Sequence, residues 1–258
     1  MILEYKGTNI FYETSGNGKA IILLHGLLEN SSMWDYISEN TFKGFQIIKV
    51  DLLGHGKTGC MGYIHTMELM AKAVLSVIEK LEITKLKIVG HSMGGYVALA
   101  LAEMKPELIS GICLINSTFQ ADSAERREIR KRAIEMAKTN YESLVRMSFL
   151  NLFSKKSREI FGDEIDLALK EAVNTPVRGY IAAQKGMLER ISYLNVIEDF
   201  NSKVYMILGT EDNLVNIADV YGLTENLNIE ICAISGGHMS YIENKQDLSY
   251  NIKLYIEN

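Results

Sequence analysis

The chain has 258 residues, 47% of them hydrophobic, enough to bury the core of one large α/β domain or of two small ones. A formal net charge of −5 argues against a nucleic-acid partner, and no aromatic-basic pattern opposes that reading. The three cysteines, Cys60, Cys113 and Cys232, have no metal spacing, and an odd number argues against a disulfide framework; Cys113 and Cys232 fall in apolar runs and read as small core residues.

The first residues, Met1 to Lys6, contain no apolar leader-like run, and no stretch approaches membrane-spanning length. The expected setting is therefore the cytoplasm, with reduced thiols and no membrane partner. Residues 2–14 predict a two-stranded start, closed by the turn signal Ser15-Gly16-Asn17-Gly18. A strand centred on Ile22 is then followed by a helical pattern over 32–39. A strand on Ile47 precedes a helix over 67–81, and one on Ile88 precedes a helix over 93–104. A strand on Ile112 comes next. Near the end, strands on Tyr205 and Ile231 precede helices over 217–224 and 245–256. Three of these strands are near-continuous Ile/Val/Leu runs, as expected where both faces of a parallel sheet are covered. The alternation predicts a doubly wound, mostly parallel sheet with helices on both faces.

One region breaks the rhythm. Residues 119–194 contain no convincing strand, only helical patterns around 124–138, 141–153, 163–173 and 179–188. Their methionines and aromatics, among them Met136, Met147, Phe149, Phe153 and Tyr180, read mainly as the core of a helical insertion, with a few facing a pocket.

The stretch that speaks most directly of chemistry is Gly90-His91-Ser92-Met93-Gly94, between the apolar run 86–89 and the helix-forming run 96–102. A Gly-x-Ser-x-Gly motif between strand and helix is the setting of a nucleophile elbow, where the serine sits on a strained turn and flanking side chains would clash. Gly95 lets the helix lie close to the sheet. The plainer reading is a βα turn with a serine N-cap; the strand before, the helix after and the remaining motifs weigh against it.

Those motifs are His25-Gly26-Leu27-Leu28 after the Ile22 strand, and Asp51-Leu52-Leu53-Gly54-His55-Gly56-Lys57-Thr58 after the Ile47 strand. Asp212 follows the Tyr205 strand, and Gly236-Gly237-His238 follows the Ile231 strand. Together with the elbow they resemble the α/β-hydrolase family over nearly the whole chain, and Ser, Asp, His is that family's order. The resemblance implies an α/β-hydrolase fold, with residues 1–118 and 195–258 as the core and 119–194 as a helical cap. It implies Ser92 as nucleophile, His238 as general base and Asp212 as the carboxylate that orients it. It also implies an oxyanion hole made by the backbone N–H groups of Leu27 and Met93.

Glu211 is the neighbouring fallback for the acid, and Asp122, after the Ile112 strand, is the competing position. His25 and His55 read as structural and His91 as the variable second residue of the elbow. His65 belongs to no motif and is expected at the surface. The basic cluster Arg126, Arg127, Arg130, Lys131 and Arg132 could receive an anionic substrate. Its interleaving with Glu125, Glu128 and Glu135 favours a solvated helix face. Two prolines usual in the family, before the strand leading to the acid and after the histidine-loop glutamate, are replaced by Lys203 and Asn244, which leaves no catalytic atom affected.

The activity so implied is hydrolysis of a small carboxylic ester or thioester through an acyl-enzyme, with no metal and no cofactor. Carbon–carbon or amide cleavage, or acyl transfer, could use the same three residues. A ligand sensor with slow turnover is the rival from another class.

Overall fold

A computed structural model describes residues 1–257, with residues 40 and 41 described by their backbone alone. The strands are β1 (Ile2–Tyr5), β2 (Thr8–Ser15), β3 (Lys19–Leu24), β4 (Phe45–Val50), β5 (Leu86–His91), β6 (Ile109–Ile115), β7 (Val204–Gly209) and β8 (Ile229–Ile234). They form one sheet in the order β1-β2-β4-β3-β5-β6-β7-β8. The first pairings, β1 with β2 and β2 with β4, are antiparallel; from β4 onward every pairing is parallel.

The helices are α1 (Asp35–Thr41), α2 (Met67–Lys80), α3 (Met93–Met104), α4 (Ala124–Ala137), α5 (Tyr141–Leu150), α6 (Lys155–Ile160), α7 (Gly162–Asn174), α8 (Val177–Glu189), α9 (Leu194–Asp199), α10 (Ile217–Thr224), α11 (Ser240–Glu243) and α12 (Lys245–Glu257). Because side chains alternate across a strand, each central strand feeds two cores. Ile22, Leu24, Ile88, Ile112 and Leu114 pack with α2 and α3 on one face. Ile21, Leu23, Val89, Cys113 and Ile115 pack with Trp34, Ile37 of α1 and Leu248, Ile252 and Tyr255 of α12 on the other. This is why the strands read as unbroken apolar runs. Cys113 is in that second core, whereas Cys232 is half-buried and gives its thiol proton to Asn251 Oδ1 at 3.0 Å.

Between β6 and β7 the chain is helical from α4 to α9. Six helices stand where four patterns were expected, because α6 and α9 have only six residues each, too few to reveal a period. Ser123 and Ser154 cap α4 and α6 by accepting the N–H groups of Arg126 and Ser157. The insertion has its own core of Leu144, Val145, Phe149, Phe153, Ile165 and Leu169, which continues onto Leu28, Met239 and Ile242 of the sheet domain. These last residues follow β3 and β8, so the insertion packs against loops at the C-terminal edge of the parallel strands. Among the described residues no helix is long and apolar enough to cross a membrane.

Candidate active site

β5 delivers the chain to Ser92 and α3 carries it away. Ser92 turns the corner with φ 48° and ψ −115°, a strained conformation for a residue with a side chain. The turn is locked from both sides: Ser92 N–H donates to the Ile115 carbonyl at 2.9 Å, and the Ser92 carbonyl accepts the Ser117 hydroxyl at 2.8 Å. A Cβ on Gly90 would stand 2.5 Å from the Gly94 carbonyl oxygen, and one on Gly94 would stand 2.3 Å from that of Leu24. Both glycines are therefore steric requirements of the turn.

Ser92, His238 and Asp212, distant in sequence, share one hydrogen-bonded line. Ser92 Oγ lies 2.9 Å from His238 Nε2, and His238 Nδ1 lies 2.8 Å from Asp212 Oδ2. The other carboxylate oxygen of Asp212 accepts the amides of Leu214 and Val215 at 2.7 and 3.1 Å. Burial pushes the Asp212 carboxyl up, but the His238 ring, the Asn116 amide and the Leu214 amide outweigh it and hold the group below its ordinary value. Glu211, the neighbouring candidate, is exposed. Asp122 is elsewhere, bound to Arg130 Nε at 2.5 Å and to Arg190 Nη2 at 2.8 Å.

Three polar residues beyond the expected site brace this line. Asn116, at the end of β6 with φ 46°, donates to Asp212 Oδ2 at 2.9 Å and to the Gly237 carbonyl at 3.2 Å, and receives the Ser240 hydroxyl at 2.5 Å. Glu243 accepts the amides of Gly237, Met239 and Ser154 at 2.9 to 3.1 Å, which ties the loop around His238 to the helical insertion. His238 N–H itself donates to the Leu152 carbonyl of the insertion at 2.8 Å.

The third is Glu29. His91 Nδ1 lies 2.9 Å from Glu29 Oε2, and His91 Nε2 lies 2.9 Å from the His238 carbonyl. That carbonyl can only accept, so Nε2 carries a proton, and the carboxylate calls for a second on Nδ1. Burial lowers the His91 pKa and raises that of Glu29, but their mutual attraction wins in both, leaving His91 above and Glu29 below its ordinary value. The elbow's second residue is thus half of a buried charge pair, flanked by His25, Asp212 and Tyr241.

A pH dependence follows. The pair contributes fully above the unfolded Glu value of 4.5 and below the unfolded His value of 6.5, fading as pH falls through the lowered Glu29 value or rises through the raised His91 value. Glu29→Gln, which strands a buried cation, should cost about 3–5 kcal/mol of stability. The melting-temperature gap to the unaltered protein should be widest in that window and close at higher pH. A gap independent of pH would show that the pair is not charged.

The oxyanion candidates are Leu27 and Met93; neither backbone amide donates to another described residue. Nearby, His25 Nδ1 donates to the Gly26 carbonyl at 2.7 Å and its Nε2 accepts the Leu52 amide at 2.8 Å, so the ring is neutral, in line with a pKa lowered by burial. His55 is buried and held at about 3 by the same cause. His65 corrects the expectation of a surface residue. It is 0% exposed, pushed down to about 4 by burial, and its backbone N–H donates to Ala182 of α8 at 2.9 Å. The loop before α2 is covered by the helical insertion, a tertiary contact with no local signature.

The basic cluster also differs in part. Lys131 pairs with Glu128 on an exposed face as expected, whereas Arg130 is buried against Asp122. Two surface clefts, one beside Tyr141 and Ile181 and one beside Asn30 and Lys57, are not lined by Ser92, His238 or Asp212.

A family model described as the alpha/beta hydrolase fold matches residues 19–245. An uncharacterised protein of Mycobacterium tuberculosis is 32% identical over 106 residues, a match that spans 41% of this chain and only 31% of that protein. The pimeloyl-[acyl-carrier protein] methyl ester esterase of Aliivibrio fischeri is 24% identical over 96% of this chain and 98% of its own length. A solved structure of a thermophilic esterase from Thermogutta terrifontis superposes with a TM-score of 0.92 at 23% identity, covering 99% of this chain and 96% of that one.

Proposed function

The chain belongs to the α/β-hydrolase family, and from that premise we propose that it is a serine hydrolase that cleaves a small carboxylic ester or thioester through an acyl-enzyme. The observation that carries this reading is the line from Ser92 Oγ through His238 to Asp212, with its 2.9 and 2.8 Å links, set on a strained elbow.

In the reaction so inferred, Ser92 Oγ attacks the ester carbonyl carbon while its proton passes to His238 Nε2. Asp212 accepts the Nδ1–H throughout, which keeps Nε2 free as a base and stabilises the imidazolium that forms. The carbonyl oxygen becomes an oxyanion and receives the N–H groups of Leu27 and Met93. In a trans peptide the C=O and N–H point to opposite sides. Anchoring the Gly26 carbonyl on His25 therefore turns the Leu27 N–H away from His25 and leaves it without a protein acceptor. The Met93 N–H stands at the N-terminus of α3, whose dipole favours negative charge. Collapse of the intermediate expels the alcohol or thiol, which takes the proton from His238. Water, deprotonated by His238, then attacks the acyl-enzyme and releases the acid and Ser92.

On the same reading residues 119–194 are a cap over the core of 1–118 and 195–258, and the cap selects substrates through pocket contacts. The curated esterase relative supports an ester as the bond cleaved. A panel of 4-nitrophenyl esters from acetate to octanoate tests the proposal. The expected result is steady release of 4-nitrophenol well beyond one equivalent per chain. A single equivalent followed by arrest would fit a sensor instead, and no release would remove the serine-hydrolase reading.

A further inference from the structure

The cluster of cations on the first turns of α4 is not balanced by acids. Asp122 is saturated: its two oxygens take Arg130 Nε at 2.5 Å, Arg190 Nη2 at 2.8 Å and Arg130 Nη2 at 3.4 Å. Arg130 spends its remaining fork on Gln184 Oε1 at 2.9 Å, and Gln184 in turn holds the Tyr180 hydroxyl. The Arg190 side chain is 1% exposed, and its Nε and Nη1 have no partner among the described residues. Arg126 is half-buried, and its guanidinium makes no hydrogen bond to another described residue. Two guanidinium groups thus share one carboxylate, and a third, Arg126, stands near it without a hydrogen bond to it.

This group of cations reaches α3 through Tyr96. Arg190 stacks on the ring of Tyr96, 3.5 Å from the centroid, and Tyr96 lies one turn into α3 from Ser92. Tyr96 is 7% exposed, and its hydroxyl has no hydrogen-bond partner among the described residues. Burial and the Arg130 charge both oppose the charge on Arg126, against the weaker pull of Tyr96, Asp122 and Asp212. A guanidinium stays protonated regardless. A half-buried cation beside another cation, with donors unspent on the described residues, is suited to pair with an anion. Glu125 and Glu128 of α4 are exposed, and Glu128 is already paired with Lys131.

We propose that the ester presented to Ser92 carries a second acidic group, a carboxylate, held by the Arg126 fork and the Tyr96 hydroxyl, with Arg130 and Arg190 as buried supporting charges. The inference rests on the serine-hydrolase reading for the reaction but not for the binding. A planar carboxylate matches the guanidinium fork in two parallel hydrogen bonds.

Two near-isosteric pairs test it: monomethyl glutarate against methyl valerate, with the acid on the acyl side, and 4-acetoxybutyrate against pentyl acetate, with the acid on the alcohol side. In at least one pair the carboxylate ester should show the higher kcat/KM, and Arg126→Gln should reduce that preference by about 10- to 100-fold. Arg126→Lys, which keeps the charge but not the fork, should fall between. No preference in either pair, or a preference that survives Arg126→Gln, would overturn the proposal. Binding of glutarate to the Ser92→Ala protein, measured by calorimetry with and without Arg126→Gln, separates the two readings. If none of the four esters is cleaved but glutarate binds through Arg126, the hydrolase reading fails and the anion subsite stands. If esters are cleaved but glutarate binding ignores Arg126, the subsite alone fails. A melting temperature for Arg126→Gln at or above that of the unaltered protein, as expected on relief of the Arg126–Arg130 repulsion, establishes that the variant is folded.

Discussion

Ser92→Ala should lower kcat on every ester by about 10⁴- to 10⁶-fold, while the melting temperature stays close to that of the unaltered protein. On the proposed mechanism the size of the effect comes from removing the nucleophile that forms the acyl-enzyme, and the residual rate reflects binding and the oxyanion donors acting on water. Stability should change little because alanine meets the same constraint at φ 48° as serine does, and the turn is held by the Ser92 backbone N–H and C=O, which the substitution keeps. Steady-state kinetics beside a thermal melt checks both halves. A loss of activity matched by unfolding would say nothing of chemistry, but a folded Ser92→Ala protein with near-normal turnover would refute the nucleophile.

Asp212→Asn should cost about 10⁴ in kcat with the fold intact. The carboxylate's surroundings dictate how asparagine would sit. Oδ1 accepts two backbone amides, Leu214 and Val215, against one side-chain amide, Asn116, at Oδ2, so the new carbonyl oxygen belongs at Oδ1 and the NH₂ group takes the place of Oδ2 with loss of the Asn116 hydrogen bond. It would then donate to His238 Nδ1, force the ring proton onto Nε2 and leave Ser92 without a base. Asp122→Asn should behave differently. It removes the charge shared by buried Arg130 and Arg190 and should cost about 3–5 kcal/mol of stability, seen as a lower melting point. Kinetics and melts on the two variants check the contrast; a reversal would move the acid to Asp122, between β6 and α4.

Much of the fold is legible in the chain because its signals are local. Buried parallel strands need unbroken apolar runs, an elbow needs glycines two residues either side of its serine, and both conditions act within a few residues. Ser92, His238 and Asp212 stand out as candidates in the sequence because each follows a strand in a recognisable order. Their braces could not. Asn116 meets Asp212 across 96 positions, His91 meets Glu29 across 62, and Glu243 meets Ser154 across 89. No periodicity encodes such pairs. Asn116 follows β6, six residues before the competing candidate Asp122, and serves Asp212 with a hydrogen bond. His65 and Arg130 are buried against expectation for one shared reason. A polar residue on a polar stretch looks solvated until another element covers it, here α8 for His65 and the Asp122–Arg190 pair for Arg130. Glycine was the available hint: a Cβ on Gly186 would stand 1.7 Å from the His65 carbonyl oxygen, so that position of α8 must be bare for the two segments to meet.

Labelling of the folded protein with a fluorophosphonate, followed by peptide mass mapping, tests the nucleophile most directly. The reagent needs an activated serine and an oxyanion site together, and makes no demand on the natural substrate. The expected result is one adduct per chain on the peptide containing Ser92, abolished by prior unfolding and absent from Ser92→Ala. An adduct on another residue, or none on the folded protein, would contradict it.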